Sequence, residues 1–335
     1  MRRRAGLVLL AFAVFFAALS PLLRWYAFPR LAKIPPNQYQ ETVLEAKPAT
    51  LLDYSTLRAE KVSKVTIVQT LKGNVEESEK IERSAGRDVV VWDSLSYVQG
   101  PDGKMVSRIP ERYIFDAHSQ APVHATGEMV DGDTVSREGI EFKWPFLTEK
   151  RDYEYFDAQT RTSSPIHYKG TRTFRGLDVY YFEQTVPWTK VPMPKTMPIK
   201  GITPQQIAKT GMTRWYTTKR MFWVDPVTGA PVNGEEIHKE ELRNAKAMGM
   251  SQDTVTAFAG HVKMREDYVT SIVAQVKSQR ILVLLLTSYL PWGFLVLGAA
   301  LLALALWLEA RSRRPGEPRP HTAPRPVPDP APTPA

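Results

Sequence analysis

Two long apolar segments lie at opposite ends of this 335-residue chain, and they restrict its fold more than any other feature. Ala5–Leu23 follows Arg2, Arg3 and Arg4, and Ile281–Leu308 precedes Arg311, Arg313 and Arg314. Each is long enough to cross a hydrocarbon core of about 30 Å at ~1.5 Å per helical residue. Residues 31–280 then form a polar segment tethered to a membrane at both ends.

The arginines sit on the chain-terminal side of both segments, so the positive-inside bias places both termini in the cytoplasm and residues 31–280 outside it. The first segment is ambiguous alone, because Arg24, Arg30 and Lys33 follow it. It also resembles a signal peptide, with small residues at Ala17-Ala18-Leu19-Ser20. Pro21 and the apolar run on to Phe28 favour an uncleaved anchor. The second segment, as one helix of about 42 Å, exceeds a single span. Either it tilts, or Ile281–Leu290 lies at the interface and Pro291–Leu308 crosses. The expected protein is two-pass and resides in the cell membrane.

The chain has no cysteine, which excludes disulfides and thiol chemistry. Its net charge of +9 suggests a polyanion-binding protein until the charges are located. Residues 1–30 and 309–335 hold +7 of it, leaving a nearly neutral middle. The basicity therefore serves membrane orientation, and nucleic acid is not an expected partner. Arg311–Ala335 contains nine prolines and is expected to be a disordered cytoplasmic tail.

The middle reads as α+β, dominated by antiparallel strands. Val62–Val68 and Asp88–Trp92 are rich in β-branched residues. Turn residues at Gly100–Gly103, Arg175–Asp178 and Asp225–Gly229 separate further strand-like runs. Asp116–Val123 aligns without gaps on Asp225–Val232, and Tyr155–Thr160 is a looser third copy. An Asp opening such a turn accepts nearby backbone N–H groups, so these aspartates are expected to be turn formers. Thr203-Pro204-Gln205-Gln206 is a capping box opening a short helix. Ser251–Arg280, with Val262, Val269, Ile272, Val273 and Val276, is the longest helical candidate and leads into the second membrane segment. Short strands carrying charges speak against a transmembrane β-barrel.

Chemistry is harder to find. The sequence has no phosphate-binding glycine loop, nucleophile elbow or zincin helix, so no catalytic residue, metal ligand or cofactor is expected. His238 stands three residues from Glu241, but in a strand those side chains point to opposite faces. The most unusual segment is Val186–Ile199, with four prolines, Trp188, Met193 and Met197. It reads either as an ordered connection over the core or as an apolar, donor-poor lip for a lipid. On the second reading Trp188, Met193 and Met197 are the ligand contacts.

Ile109–Asp116, Trp144-Pro145-Phe146, Tyr153–Asp157 and Phe222–Gly229, set between two terminal anchors, resemble an actinobacterial membrane family of unknown function labelled porin PorA-like. The resemblance covers nearly the whole chain apart from the tail and brings no catalytic residues with it. The layout of terminal helices around a β-rich ectodomain is also similar to that of the class B scavenger receptors, whose ectodomain conducts lipid. The expected function is binding or passing membrane lipid or another apolar envelope molecule, without enzymatic activity. An assembly scaffold for envelope proteins and an envelope hydrolase are the alternatives. An elongated apolar cavity would favour lipid over scaffold, and a hydrolase requires carboxylates or His clustered in one cleft.

Overall fold

The computed structural model describes residues 2–312 apart from positions 55, 57, 197–202 and 250–251. Met197 and the tail beyond 312 lie outside the described residues. The chain divides into two compact units, Met1–Arg24 with Ser288–Ala335, and Trp25–Thr287.

In the first unit, α1 (Arg2–Pro21) packs against α6 (Leu290–Ser312). Gly298 permits the close approach, since a Cβ there would lie 3.1 Å from the Ala13 carbonyl oxygen. Phe16 and Phe294 stack with ring centroids 5.5 Å apart. Trp292 and Trp307 stand about 22 Å apart along the helix axis. Arg311 covers the Trp307 ring at 4.4 Å. The helical runs Arg4–Leu31 and Glu266–Arg311 are each long and apolar enough to cross a membrane. Both contain a π-helical turn, Leu22–Ala27 in one and Leu285–Tyr289 in the other. Between its π turn and the first strand, the N-terminal run closes with α2 (Phe28–Leu31).

The second unit is built on one antiparallel sheet of 13 strands. Its first half comprises β1 (Tyr39–Asp53), β2 (Arg58–Val62), β3 (Val65–Gly73), β4 (Val89–Gln99), β5 (Met105–Asp116), β6 (Met129–Val130) and β7 (Asp133–Thr134). The second half comprises β8 (Tyr153–Asp157), β9 (Thr162–Phe174), β10 (Leu177–Val191), β11 (Thr213–Val224), β12 (Pro231–Arg243) and β13 (Thr254–Met264). Each half is a meander, and β13 pairs with β1 to join them. The path therefore runs from β7 through β1 and β13 to β8, with β2 added beside β1. Its two ends also meet. Ile140 donates its N–H to the Glu154 carbonyl at 2.8 Å and accepts from Phe156 at 3.0 Å. Gly139 makes this possible, because a Cβ there would fall 2.1 Å from the Glu154 oxygen. Asp133 takes Arg161 and Lys195, both at 2.5 Å, and buried Arg137 joins Glu111 to Glu141 across the same seam. The sheet thus encloses an interior.

The main strands run to between 9 and 15 residues, longer than the turn markers suggested. Two prolines sit inside strands at bulges. Lys47-Pro48 fills the register shift between Ala46 and Ala49, and Pro187-Trp188 that between Val186 and Thr189. The first half of the Val186–Ile199 segment is accordingly strand. A second correction concerns Ser251–Arg280. Residues Thr254–Met264 form β13, and the helix α5 (Glu266–Leu284) begins only at Glu266. Alternating Val255, Ala257 and β-branched neighbours satisfy a strand as well as a helix, and pairing with β1 and β12 decides. Val269, Val273 and Val276 of α5 then bury against Leu177, Val179 and Val232.

Two of the smaller helices are capped by side chains, one of them at the expected Thr203 capping box. The N-terminus of α3 (Val75–Ala85) is held by the Asn74 side chain, which accepts the Glu77 N–H. In α4 (Pro204–Lys209) Thr203 and Gln206 exchange side-chain to backbone bonds of 3.2 and 2.8 Å. The three related turns also share one geometry. Asp116, Asp157 and Asp225 each accept the N–H three residues on, at 2.8 Å, and the fifth residue of each turn has a positive φ. Only Gly229 among those fifth residues lacks a Cβ, which would lie 2.1 Å from the Trp144 oxygen.

Candidate functional site

Strand periodicity decides what faces the interior. In β11, Arg214, Tyr216, Thr218 and Arg220 alternate toward it. In β12, Glu236, His238 and Glu240 do the same. The hairpin register sets Tyr216 opposite Glu240, Thr218 opposite His238 and Arg220 opposite Glu236. Complementary charges therefore meet inside the sheet. Arg214 grips Glu240 with two bonds of 2.8 and 2.7 Å, and Arg220 reaches Asp157 at 2.7 Å. His238 lies between two carboxylates, Nδ1 at 3.0 Å from Glu236 and Nε2 at 2.8 Å from Glu240. Tyr216 and Thr218 donate to Asp157 and Glu236, at 3.0 and 2.8 Å.

The electrostatics follow from these contacts. Burial alone would strip the proton from His238, but hydrogen bonds to Glu236 and Glu240 push its pKa up to about 9. Burial likewise opposes ionisation of Glu236 and Glu240, yet Arg220 and Arg214 respectively, with His238, hold both well below the usual carboxylate range. The network is three cations against three anions, each engaged.

Two chambers open on this network. One, of about 800 Å³, reaches Phe28, Tyr113, Lys143 and α5. The other, of about 270 Å³, is lined by Leu51, Tyr54, Val98, Met193, Ile207 and Phe258 among others. Ile67, Ser96, Glu111, Arg220, Glu236 and His238 border both. Volumes of this order suit a drug-sized or larger apolar ligand.

The larger chamber differs in its charges. Lys143 lines it with the Nζ shielded from solvent and without a hydrogen-bond partner, 3.6 Å above the Phe146 ring. Burial pulls its pKa down to about 7. The segment carrying it is fixed on both sides. Ile140 bonds β8, the Trp144 N–H donates to Gly229 at 2.9 Å and the Leu147 N–H to Val227 at 3.1 Å. Trp144 itself is fully buried, with ring centroids 5.0 Å from Phe182 and 5.3 Å from Phe222.

Of the residues singled out in the sequence, Met193 lines the smaller chamber. Trp188 stands apart from it on the β10 bulge, over which Arg243 and Lys239 lie at 5.0 and 5.4 Å. The structure does not bring these two together, and Met197 is outside the described residues. Among the described residues no group of His, Asp and Glu has a metal-holding arrangement. The network was missed because alternating charges in a strand look like a solvated face, and Lys143 because a lysine in a segment without regular structure reads as exposed. The signal was available, since the Asp225–Gly229 turn sets the register that pairs the arginines of β11 with the acids of β12.

The segments that carried the family resemblance converge here: Trp144 packs against Tyr155 and Phe222, and Glu111 and Tyr113 of the first segment hold Arg137. The sequence profile of the family described as Porin PorA matches residues 5–307. The chain belongs to the PorA family. A protein of Corynebacterium amycolatum named Porin PorA is 22% identical over 70% of this chain and 77% of its own length. One of Corynebacterium resistens with the same name is 28% identical over 39% of this chain and 46% of its own, so that match spans less than half of the relative. Membership, with two apolar helices, makes this PorA-family chain a membrane-associated envelope protein.

Proposed function

We propose that this PorA-family protein binds a lipid or comparable apolar envelope molecule inside its ectodomain and passes it along or holds it there. The observation that carries the reading is the pair of chambers meeting at Ser96, Glu111 and His238 inside a sheet whose ends are joined. A scaffold needs surface, whereas this architecture spends core-facing strand positions on lining a void. The helices tether the cavity to a bilayer, with both termini cytoplasmic and residues 31–280 outside. Cysteine substituted for exposed Lys104 and for Thr333 tests that placement with an impermeant thiol reagent. Labelling of position 104 alone on intact cells is the expected result.

A second reading has its own observation, because Asp157, Glu236, His238 and Glu240 do form the carboxylate–histidine cluster that a hydrolase requires. Their pairing argues for a structural role. A protonated His238 is a poor base at neutral pH, and Glu240 and Asp157 are committed to arginines. The deciding experiment is native mass spectrometry of the full-length protein taken from membranes, beside Ser96→Trp, which fills the junction of the chambers. A lipid-mass adduct on the parent that the substitution removes supports the proposal. Adduct-free protein that also takes up no added lipid ends it.

A further inference from the structure

The two chambers differ in what their walls leave unsatisfied. Among the described residues, the buried side-chain atoms of the larger chamber without a hydrogen-bond partner are the Lys143 ammonium and the Trp92 indole N–H. Both are donors. Phe142, next to Lys143 in the chain, packs on Trp92 with centroids 4.8 Å apart. An unpaired ammonium shielded from water is costly, and proteins normally pair it or leave it in solvent. Here Ile140, Trp144 and Leu147 pin the backbone on both sides, which keeps the cation inside. Phe28, Leu31, Phe142 and Phe146 line the same chamber, and of the carboxylates in its wall Glu111 and Glu141 are held by Arg137 and Glu236 by Arg220. Lys33, also on the rim, is already paired with Asp88 at 3.2 Å.

From this we infer that the larger chamber selects a long-chain monoanion, an amphiphile whose single acid group pairs with Lys143 while its apolar chain fills the cavity. The inference rests on the proposed binding function and names the chemistry of its ligand. One ammonium neutralises one negative charge, and the Trp92 N–H offers a second donor to an acid with two acceptor oxygens. A carboxylate and a phosphodiester both meet that description. Burial alone lowers the Lys143 pKa, and an anion beside it favours the charged form.

The test compares ligands matched in chain length on the full-length protein by native mass spectrometry: palmitic acid, hexadecanol and hexadecyl methyl phosphate. At least one of the two monoanions should bind about ten-fold more tightly than the alcohol, a difference within the range of charge-assisted hydrogen bonds. Which of them does so assigns the acid as carboxylate or phosphodiester. In Lys143→Met, and independently in Lys143→Gln, that preference should fall to near parity while hexadecanol still binds, which also shows that the chamber remains folded. Trp92→Phe should reduce the preference less. Equal binding of acid and alcohol by the parent protein, or a preference that survives both Lys143 substitutions, overturns the inference and leaves cavity binding intact. Failure of all three ligands to bind overturns both together.

Discussion

The central network and the Lys143 chamber are neighbours with opposite electrostatic states. In the network every charge has a partner, with Arg214 on Glu240, Arg220 on Asp157 and His238 between two carboxylates. In the chamber one cation has none but an aromatic face. Density of ionisable groups therefore misleads as a guide to function here. A cluster that satisfies itself is a fold element, and a lone unsatisfied donor marks a place for something else.

The comparison breaks most visibly at Arg220. Arg220→Met leaves Asp157 and Glu236 buried without their cation, so thermal unfolding of the sheet-built unit should show a loss of about 3–5 kcal/mol. A loss below ~1 kcal/mol would mean the network is no structural element. The next effect is on pH. The His238 pKa is raised, so its contribution is complete below ~6.5 and is lost as pH rises through about 9. Up to about 3 kcal/mol should disappear over that window. Glu236 and Glu240, whose pKa values are depressed, lose their share only in strong acid. His238→Gln should flatten the alkaline slope, as followed by unfolding at a series of pH values.

Lys143 should behave in the reverse sense. Lys143→Met removes an uncompensated buried charge and should stabilise the ligand-free protein, by about 1 kcal/mol, as binding-site residues held against stability do. Destabilisation would place Lys143 with the network. The smallest effect separates the three equivalent turns. Asp116→Ala loses only its turn bonds, at about 1 kcal/mol. Asp225→Ala also releases Arg280, bonded at 2.8 Å, and should cost more in the same unfolding assay.

Much of the fold was legible in local chemistry. The terminal helices, the Asp-led turns, the Thr203 capping box and the antiparallel character all follow from residues within a few positions of one another. Strand length was not, because Pro48 and Pro187 read as strand ends unless the partner strand that accommodates a bulge is known. The start of α5 was blurred for a related reason, since Thr254–Met264 becomes a strand only through pairing with β1 and β12. The interior was least legible. Arg214, Arg220, Glu236 and Glu240 look solvated on a strand, and only an enclosing sheet turns their face inward.

The central claim is that an apolar molecule occupies the ectodomain. A photoactivatable long-chain fatty acid, crosslinked to the full-length protein in its own membrane and mapped by peptide mass spectrometry, tests it directly. Adducts should fall on the lining of the larger chamber, on peptides holding Glu141–Phe146, Met264 and Ile272–Gln279. Adducts confined to α1 and α6, at the level expected for any membrane helix, would contradict the account.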